Sequence, residues 1–374
     1  MEVDCLVVGL GPAGARAAAA AAQHGLRVLA IERRSVIGEP VQCAEFIPTP
    51  LSGLAQAEGV MQHRITGMQS VLPSGTVVHN DFPGLIIDRG AFDRHLAAQA
   101  QAQGATLWTQ TRLLALDPQQ QIASLRRGQS TPADDLINVK YQRLIAADGP
   151  HSTCAARLGL PTLQCVRSRQ YRVDLHRPLQ DTWIWLDNAY PGGYAWLFPR
   201  GRVANLGLGL EPTLGVTPKT ALDTLHRQLI EQGWVGATIH QRTGGAIPVG
   251  GLRSCLTHGA TLFAGDAAGL THPITGAGIA AAVQSGHAAG LAVAASLNGD
   301  PDALEDYATD MREQFAPSLE RAVAHRQAMR PEWSRPPSQQ DSWHRRGWIA
   351  FPEYFAPLSP IEQPTHLEPA LEAV

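Results

Sequence analysis

The sequence predicts an α/β fold in which a Rossmann-like domain with a parallel central sheet carries a smaller, mostly antiparallel domain. Three observations support this prediction. Short apolar runs that precede glycine turns occur at three distant places, residues 5–10, 143–147 and 261–266. Such runs are typical of parallel strands buried on both faces. Between them, residues 65–80 and 167–250 contain alternating segments, which are typical of antiparallel strands.

The composition excludes several classes of protein. The 374 residues are 44% hydrophobic and 17% charged, with a net charge of −3, so the chain has enough apolar residues for a core. Since no block of five like charges occurs, we predict no nucleic-acid surface. The five cysteines are widely spaced without a C-x-x-C pair. We therefore expect free thiols, no metal site and a cytoplasmic protein.

The N-terminal region predicts a βαβ unit: a strand at 5–10, a helix at 15–23 and a strand at 27–31. The intervening turn, Gly9-Leu10-Gly11-Pro12-Ala13-Gly14, matches G-x-G-x-x-G, and Glu32 ends the second strand. In this motif the first glycine permits a tight turn, the second admits a pyrophosphate, and the third lets helix and strand pack closely. The helix N-terminus favours phosphate, and Glu32 can accept hydrogen bonds from the ribose. Strand, helix and acid together favour dinucleotide binding over an ordinary glycine-rich turn.

The next elements alternate between the two predicted domains. Residues 68–79 predict a hairpin around Pro73-Ser74-Gly75, residues 92–104 a helix that stops at Gly104, and residues 143–147 a buried strand. Three alternating, partly aromatic strands at 183–186, 194–198 and 203–210 follow, and then a helix at 218–232.

The stretch 267–299 contains no Asp, Glu, Lys or Arg, so it is long enough to span a membrane. It is rich in Ala and Gly and includes His272, Pro273 and Gln284. We therefore predict a buried, closely packed helix rather than a transmembrane span.

These elements predict a discontinuous domain division. The cofactor domain comprises residues 1–63, 85–160 and 255–330, and the antiparallel substrate domain comprises 64–84 and 161–254. A Pro- and Trp-rich tail, residues 331–374, holds six large aromatic residues between 333 and 355. Such a tail can pack on the body or dock a partner.

Two later motifs resemble FAD-binding segments of the flavoprotein superfamily that contains aromatic hydroxylases and geranylgeranyl reductases. The first is Ala146-Ala147-Asp148-Gly149-Pro150, and the second joins Gly265-Asp266 to Pro273-Ile274-Thr275-Gly276-Ala277-Gly278-Ile279. The resemblance covers about residues 1–330 and implies a hydroxylase-like flavoprotein fold with bound FAD. Asp266 can accept a hydrogen bond from a ribityl hydroxyl, and the helix start at Gly276–Gly278 can face the electron-rich edge of the flavin. The alternatives are a helix N-cap for Asp266 and a simple turn for Asp148.

A third segment, residues 86–93, resembles the family segment in which an Arg or Gln contacts the ribityl-phosphate region of the flavin. Arg89 is the matching residue, and a solvated surface arginine is the alternative. The candidate cofactor-binding residues are therefore Gly9, Gly11, Pro12, Ala13, Gly14, Glu32, Arg33, Cys43, Ala44, Arg89, Asp148, Gly149, Gly265, Asp266, Pro273, Gly276, Gly278 and Ile279.

Within the superfamily, two segments resemble the geranylgeranyl reductase family. They are residues 38–45 (GEPVQCAE) and 191–199 (PGGYAWLFP), and the second matches the pattern Y-x-W-x-F-P that lines the family's substrate cavity. Tyr194, Trp196 and Phe198 share one face of a strand, where they line a cavity or form domain core. Cys43 matches a cysteine beside the flavin and is either a proton donor or a small buried residue. Tyr194, Trp196 and Cys43 are the candidate catalytic residues, while His272 is either a proton donor or a packed, hydrogen-bonded histidine.

The resemblance implies an FAD-dependent reductase. It would take electrons from NADH, NADPH or a small donor and pass them from flavin N5 to a small-molecule or protein acceptor, an isoprenoid double bond by resemblance. Since no second G-x-G-x-x-G follows a strand, a nicotinamide would bind only transiently. The alternatives are an electron supplier to a partner such as a lipoate assembly enzyme, an FAD-dependent monooxygenase, and a flavin-binding scaffold whose tail recruits a partner.

Overall fold

The computed structural model describes residues 1–128, 136–211, 215–334 and 341–358. It has an α/β architecture with two eight-stranded sheets and one three-stranded sheet. The strands in chain order are β1 (Glu2–Val8), β2 (Val28–Ile31), β3 (Phe46–Pro48), β4 (Met61–Ile65), β5 (Met68–Val71), β6 (Val77–Asn80), β7 (Gly84–Ile87), β8 (Thr106–Trp108), β9 (Thr111–Asp117), β10 (Ile122–Arg127), β11 (Leu136–Ala146), β12 (Cys165–Leu175), β13 (Thr182–Trp185), β14 (Tyr194–Arg200), β15 (Val203–Leu210), β16 (Val235–Thr243), β17 (Ala246–Pro248), β18 (Thr257–His258) and β19 (Thr261–Phe263). The helices are α1 (Pro12–Gln23), α2 (Arg89–Ala102), α3 (Thr153–Arg157), α4 (Pro218–Glu231), α5 (Ile279–Leu297), α6 (Ala303–Met329) and α7 (Asp341–Gly347).

The first eight-stranded sheet, here the parallel sheet, has the order β18-β19-β11-β1-β2-β8. Its strands β19, β11, β1, β2 and β8 run parallel, with Leu6 opposite both Leu144 and Leu29. These leucines are fully buried because helices cover both faces of such a sheet. The predicted Rossmann-like architecture is confirmed.

The parallel sheet also carries an antiparallel arm that the sequence analysis missed. Strands β9 and β10 pair with each other, and β10 pairs with the first half of β11. Strand β11 therefore begins at Leu136, well before the predicted start at residue 143. The reason is that only the last part of β11 is fully apolar, while its first part alternates.

The second eight-stranded sheet, here the antiparallel sheet, has the order β16-β12-β15-β14-β13-β5-β6, with β17 paired to β12. Helix α4 covers one face through Leu222, Leu225 and Leu229. The predicted hairpin at 68–79 forms as β5 and β6, and β5 joins the sheet beside β13. A small sheet, β3-β7-β4, is formed by strands on either side of this hairpin in the chain: β3 and β4 precede it, and β7 follows it. The predicted boundary after residue 63 falls inside β4, and the domain division stays a prediction.

The charge-free stretch forms α5. Among the described residues it is the one helix that is long and apolar enough to cross a membrane, and 56% of it is buried. It packs very closely on α1: a Cβ atom added at Gly286 would lie 2.1 Å from the Ala13 carbonyl oxygen, and one at Gly290 would lie 2.5 Å from that of Ala17. Close packing of two helices thus accounts for the Ala- and Gly-rich composition.

Helix α6, which the sequence analysis did not identify, connects α5 to the far side of the molecule. The described part of the predicted tail then packs on the body. This C-terminal segment, residues 341–358, contains α7 and a 3₁₀ turn, Pro352–Phe355, and it buries Trp348, Phe351 and Tyr354. Residues 335–340 and 359–374 of the predicted tail lie outside the described residues.

Candidate active site

The glycine-rich turn between β1 and α1 uses its three glycines differently. Gly9 has φ +98°, and an added Cβ would lie 2.4 Å from the Ala147 carbonyl oxygen. An added Cβ at Gly14 would lie 1.8 Å from the Gly9 carbonyl oxygen, whereas one at Gly11 would have no heavy atom within 4 Å. Packing therefore requires Gly9 and Gly14 to be glycine. At Gly11 the missing side chain leaves open space above the helix terminus.

The N-terminus of α1 is available to an anion. Its N-cap, Gly11, makes no side-chain capping bond, and Pro12 and Ala13 occupy the first turn. The uncapped N–H groups carry the positive end of the helix dipole. Glu32 lies beside the turn, where its Oε2 accepts from the Leu10 N–H at 3.2 Å and its Oε1 from the Arg34 N–H at 3.0 Å. A carboxylate held by two backbone donors still has lone pairs for ribose hydroxyls.

Arg33, the remaining candidate in this region, is exposed next to Glu32.

Asp148 follows β11 at the same edge of the parallel sheet. Its Oδ2 accepts from the Cys154 N–H at 3.0 Å, and its buried Oδ1 has no partner within the described parts of the chain. Burial raises the pKa of this carboxyl group. Gly149 has φ +83°, so the predicted Asp-Gly turn is present. A buried oxygen without a partner is costly, and a bound hydroxyl group that donates to it would satisfy it.

The third glycine turn lies directly against the first. Gly265 has φ +59°, and an added Cβ would lie 2.9 Å from the Ala13 Cβ. Asp266 accepts from the Thr271 hydroxyl at 2.6 Å, and burial raises the pKa of its carboxyl group. The alternative prediction that Asp266 is a helix N-cap is wrong, because it lies inside the 3₁₀ turn Gly265–Ala268 while the N-cap of α5 is Gly278.

The start of α5 completes this part of the site. Gly278 makes no side-chain capping bond, and an added Cβ would lie 3.2 Å from Asp266 Oδ1. Gly276 has φ +68°, Pro273 is buried, and Ile279 begins the helix. The fold therefore brings three segments, distant in sequence, around the N-terminus of α1, as the three glycine turns predict for carboxyl ends of adjacent parallel strands.

His272 lies in the same loop but does not act as a cation there. Its Nδ1 accepts from the Ile274 and Thr275 N–H groups, both at 3.3 Å. Burial lowers its pKa to about 4, so the ring is neutral at pH 7. The prediction of a packed, hydrogen-bonded histidine is confirmed.

Cys43 and Arg89 lie close together at the N-terminus of α2. The Cys43 thiol accepts from the Glu45 N–H at 3.2 Å. The Arg89 guanidinium forms a bidentate pair with Asp93 at 2.7 and 3.1 Å, and only 18% of its side chain is exposed. Burial raises the pKa of the Cys43 thiol, and the nearby Arg89 charge opposes that rise. The alternative that Arg89 is a solvated surface arginine is wrong.

Sequence reasoning did not select Glu45, although it ends the segment 38–45. Glu45 is fully buried and has φ +72°, a conformation that non-glycine residues rarely adopt. Its Oε1 accepts from the Arg89 N–H at 2.9 Å, while its Oε2 accepts from Arg172 at 2.6 Å and Asn205 at 2.8 Å. Asn205 also donates to the Ala44 carbonyl at 3.2 Å. The carboxylate thus links the loop between β2 and β3, here called the Cys43 loop, to α2 and to the antiparallel sheet. No sequence pattern indicates that Glu45 is buried.

The aromatic strand β14 contacts the Cys43 loop and the loop directly before α5, here called the α5 loop. Tyr194 donates its hydroxyl to the Thr275 carbonyl at 2.5 Å. Trp196 Nε1 donates to Gln170 Oε1 at 3.0 Å, and Gln170 Nε2 donates to the Cys43 carbonyl at 2.9 Å. Burial raises the pKa of the Tyr194 hydroxyl, so it remains protonated and donates.

The face of β14 that carries these side chains belongs to an apolar group that we call the aromatic cluster. Its buried members are Ile65, Met68, Leu72, Ile86, Ile184, Leu186, Trp196, Phe198, Trp348 and Phe351, and its partly buried neighbours are Ala44, Phe46, Val78, Tyr194, Ile274 and Ala350. The cluster therefore has features of both alternatives for β14. It is packed like domain core, and its edge touches the Cys43 loop through Ala44 and the α5 loop through Ile274.

A cavity of about 480 Å³ is lined in part by Glu45. Its lining includes Glu39, Asp88, Arg94 and Arg172. Because these side chains are charged, this cavity suits a polar molecule, and an apolar chain would be accommodated better by the aromatic cluster.

Comparison with known proteins gives matches over most of the chain. Residues 162–246 match the profile of the geranylgeranyl reductase catalytic domain, and residues 216–346 match that of lycopene cyclase protein. The digeranylgeranylglycerophospholipid reductase of Methanosphaerula palustris is 33% identical over 315 residues, which cover 80% of this chain and 78% of the relative. Digeranylgeranylglycerophospholipid reductase 1 of Methanopyrus kandleri is 34% identical, covering 86% and 88%.

Solved structures show the same fold. A geranylgeranyl bacteriochlorophyll reductase-like protein of Thermoplasma acidophilum superposes with a TM-score of 0.81 and 27% identity, over 91% of this chain and 90% of the other. Aklavinone-11 hydroxylase, solved with FAD and aklavinone, superposes with a TM-score of 0.68 and 20% identity, over 91% and 72%. At that identity the hydroxylase shows a shared fold alone.

Proposed function

Because this chain belongs to the geranylgeranyl reductase family of FAD-dependent oxidoreductases, we propose that it reduces carbon–carbon double bonds of an isoprenoid lipid. The observation that carries this proposal is the contact of the aromatic cluster with both the Cys43 loop and the α5 loop. An isoprenoid chain is apolar, so it would gain free energy by leaving water for a space lined by these side chains. Relatives named reductases favour this activity over hydroxylation.

The residues around the N-terminus of α1 fit FAD. We assign the pyrophosphate to the open space at Gly11, where uncapped N–H groups face it. Glu32 would accept from the ribose, and the unpartnered Asp148 oxygen and Asp266 would accept from hydroxyl groups. The start of α5 at Gly278 would stabilise negative charge on the flavin. FAD supplies the two-electron chemistry when bound.

Reduction of one double bond adds a hydride equivalent and a proton, so that two C–H bonds form and the π bond is lost. The hydride equivalent derives from NADH, NADPH or another small two-electron donor, which leaves oxidised. We assign the proton to Cys43, because burial keeps its thiol protonated at neutral pH. The Arg89 guanidinium beside it would stabilise the thiolate that remains until solvent returns the proton. Tyr194 and Trp196 would orient the chain beside that thiol.

The experiment begins with the purified protein, which should be yellow and release FAD on denaturation. Under anaerobic conditions NADH, NADPH and dithionite are each tested for bleaching, and a digeranylgeranylglycerophospholipid is then added. We expect the colour to return while the lipid gains two hydrogens per reduced bond, as measured by mass spectrometry. A colourless protein that does not take up FAD would contradict the proposal, as would a hydroxylated product and oxygen consumption when the assay is repeated in air.

Two variants test the assignment of the proton. Cys43→Ala should bleach at the wild-type rate but reduce the lipid at least about a hundredfold more slowly, since it lacks the general acid. Cys165→Ala is the matched control, because Cys165 is also partly buried but lies on β12. Equal lipid reduction by wild type and Cys43→Ala would show that the proton comes from elsewhere.

A further inference from the structure

The C-terminal segment is fastened onto the antiparallel sheet at the hairpin β5–β6. The Asp341 carboxylate accepts from the Ser74 N–H at 3.0 Å and from the Ser74 hydroxyl at 2.6 Å. At the other end, Asn80 donates to the Ala350 carbonyl at 3.1 Å. These bonds hold the intervening residues over the face of the sheet on which the aromatic side chains of β14 lie.

Trp348, which lies between those two anchors, and Phe351, which follows the second, both belong to the aromatic cluster. Trp348 is 3% exposed and Phe351 is 1% exposed. The Trp348 ring packs edge-on against Tyr194, with 4.8 Å between the centroids and 62° between the planes. Since Tyr194 also bonds to the Thr275 carbonyl, a single side chain separates Trp348 from the α5 loop.

Several buried polar atoms of the hairpin β5–β6 and of the C-terminal segment have no hydrogen-bond partner among the residues that the structure describes. Two of them are Trp348 Nε1 and the hydroxyl oxygen of Ser70, and the others are Asn80 Oδ1, Glu353 Oε2 and the Tyr354 hydroxyl oxygen. Ser70 is fully buried and lies on the same face of β5 as Met68, which is a member of the aromatic cluster. An unpaired donor inside an apolar cluster costs free energy unless a ligand supplies an acceptor. The pattern therefore indicates a ligand with an apolar body and an oxygen atom.

We propose that Trp348 is the specificity-determining residue of this enzyme. Its indole forms the wall of the isoprenoid site opposite the Cys43 loop and the α5 loop, and its N–H donates to an oxygen of the lipid. This inference rests on the proposed function and identifies what limits the substrate of that site. A chain that reaches Tyr194 must lie along the Trp348 ring, so the size of residue 348 sets how much chain fits.

The test compares farnesol with geranylgeraniol, presented in detergent to the FAD-loaded enzyme. Trp348→Ala should raise the ratio of kcat/KM for the longer alcohol over the shorter by about tenfold, because several carbon atoms gain space. Trp348→Phe keeps the wall but removes the N–H, so it should raise KM for both alcohols about fivefold and leave their ratio unchanged. Anaerobic flavin reduction should be unchanged in both variants.

Trp343→Ala is the matched control. It removes a tryptophan from α7 that is only partly buried, lies outside the aromatic cluster and contacts the Arg346 guanidinium 5.8 Å from its ring centroid. We expect the wild-type ratio for this variant. If Trp348→Ala does not fold, Trp348→Leu provides a smaller reduction in size with more retained packing, and the direction of its ratio change decides.

Failure of the inference can be distinguished from failure of the proposed function. If the wild type reduces both alcohols and a folded Trp348→Ala or Trp348→Leu keeps the wild-type ratio, the inference is overturned while the function stands. If a donor bleaches the flavin of the wild type but the enzyme reduces neither alcohol nor the digeranylgeranylglycerophospholipid, the proposed function is overturned. A ratio shift shared by Trp343→Ala would also overturn the assignment to Trp348.

Discussion

Two glycines of one motif, Gly11 and Gly14, are expected to respond oppositely to substitution. Gly11→Val places its side chain in open space, so the FAD-free protein should unfold at nearly the wild-type urea concentration. It should nevertheless fail to retain FAD, because the valine fills the space assigned to the pyrophosphate. Gly14→Ala should destabilise the FAD-free protein by about 1–3 kcal/mol, since its Cβ overlaps the Gly9 carbonyl. Absorbance of the bound flavin and urea unfolding measure the two effects.

An FAD-loaded Gly11→Val protein would show that the cofactor lies elsewhere.

The motif itself was readable from the sequence because its spacing is local. Which glycine serves packing and which leaves space depends on Ala147 and Gly9 in three dimensions.

His272 predicts a pH dependence of stability. Its folded-state pKa, about 4, lies below its ordinary value of 6.5. Between about pH 4 and pH 6.5 the unfolded chain therefore binds a proton on His272 that the folded protein does not. The contribution of neutral His272 to the free energy of unfolding is complete above pH 6.5 and is lost as the pH falls towards 4. Relative to His272→Asn, the wild type should lose up to about 3 kcal/mol over this window. Urea unfolding at pH 7 and pH 4.5 measures the difference, and parallel profiles of the two proteins would contradict it.

Glu45 illustrates what residue-level reasoning could not find. The sequence placed it in a recognisable segment, but its burial and its bonds to Arg172 and Asn205 join residues more than a hundred positions apart. Charged residues are rarely buried without partners. Nothing in the local sequence identifies which partners the fold will supply.

At the scale of elements, the contact of α1 with α5 positions the cofactor site. Gly286→Ala should destabilise the protein by about 1–3 kcal/mol, because its Cβ would lie 2.1 Å from the Ala13 carbonyl oxygen. It should also weaken FAD retention, since α1 shifts at its N-terminal end. Gly53→Ala is the control, with no heavy atom within 4 Å of the added Cβ. Equal thermal midpoints and equal flavin content for the two variants would contradict this account of the packing.

The elements differ in how far the sequence predicted them. Strand β1, helix α1 and helix α4 were predicted because their apolar periods and end signals are local. Helix α6 was missed: it spans 27 residues and contains Pro317, and its buried residues are spread along a largely polar sequence. The β9–β10 arm was missed because its pairing with β11 is defined only by register.

At the scale of the whole molecule, α6 connects the two large sheets. Near its start Tyr307 donates to the Phe263 carbonyl of β19 at 2.7 Å, and near its end Arg326 bonds to Glu211 at 3.1 Å and to the Gly192 carbonyl. Arg326 and Glu211 are both buried. The helix therefore holds the turn before β14, and with it Tyr194, against the parallel sheet.

Arg326→Met should destabilise the protein by about 3–5 kcal/mol, because it removes the buried guanidinium that pairs with the Glu211 carboxylate at 3.1 Å. The double variant Arg326→Met/Glu211→Met should recover part of that loss, since both charges are removed together. Asp4→Asn, which weakens the exposed pair with Arg27, is the control and should have little effect. Urea unfolding of the wild type, the single variants Arg326→Met, Glu211→Met and Asp4→Asn, and the double variant checks this. A double variant that is less stable than Arg326→Met by the full cost of Glu211→Met would contradict it.

The α/β class, the three glycine turns, the aromatic strand and the resemblance to the reductase family could be predicted before the fold was known, because each depends on residues near one another in the chain. The tertiary structure alone decided that those turns meet at the N-terminus of α1, that Glu45 fastens the Cys43 loop, and that Trp348 and Phe351 cover the aromatic face. The physical reason is that periodicity and turn chemistry are local, whereas burial, charge pairing and the walls of a site arise from contacts between distant segments.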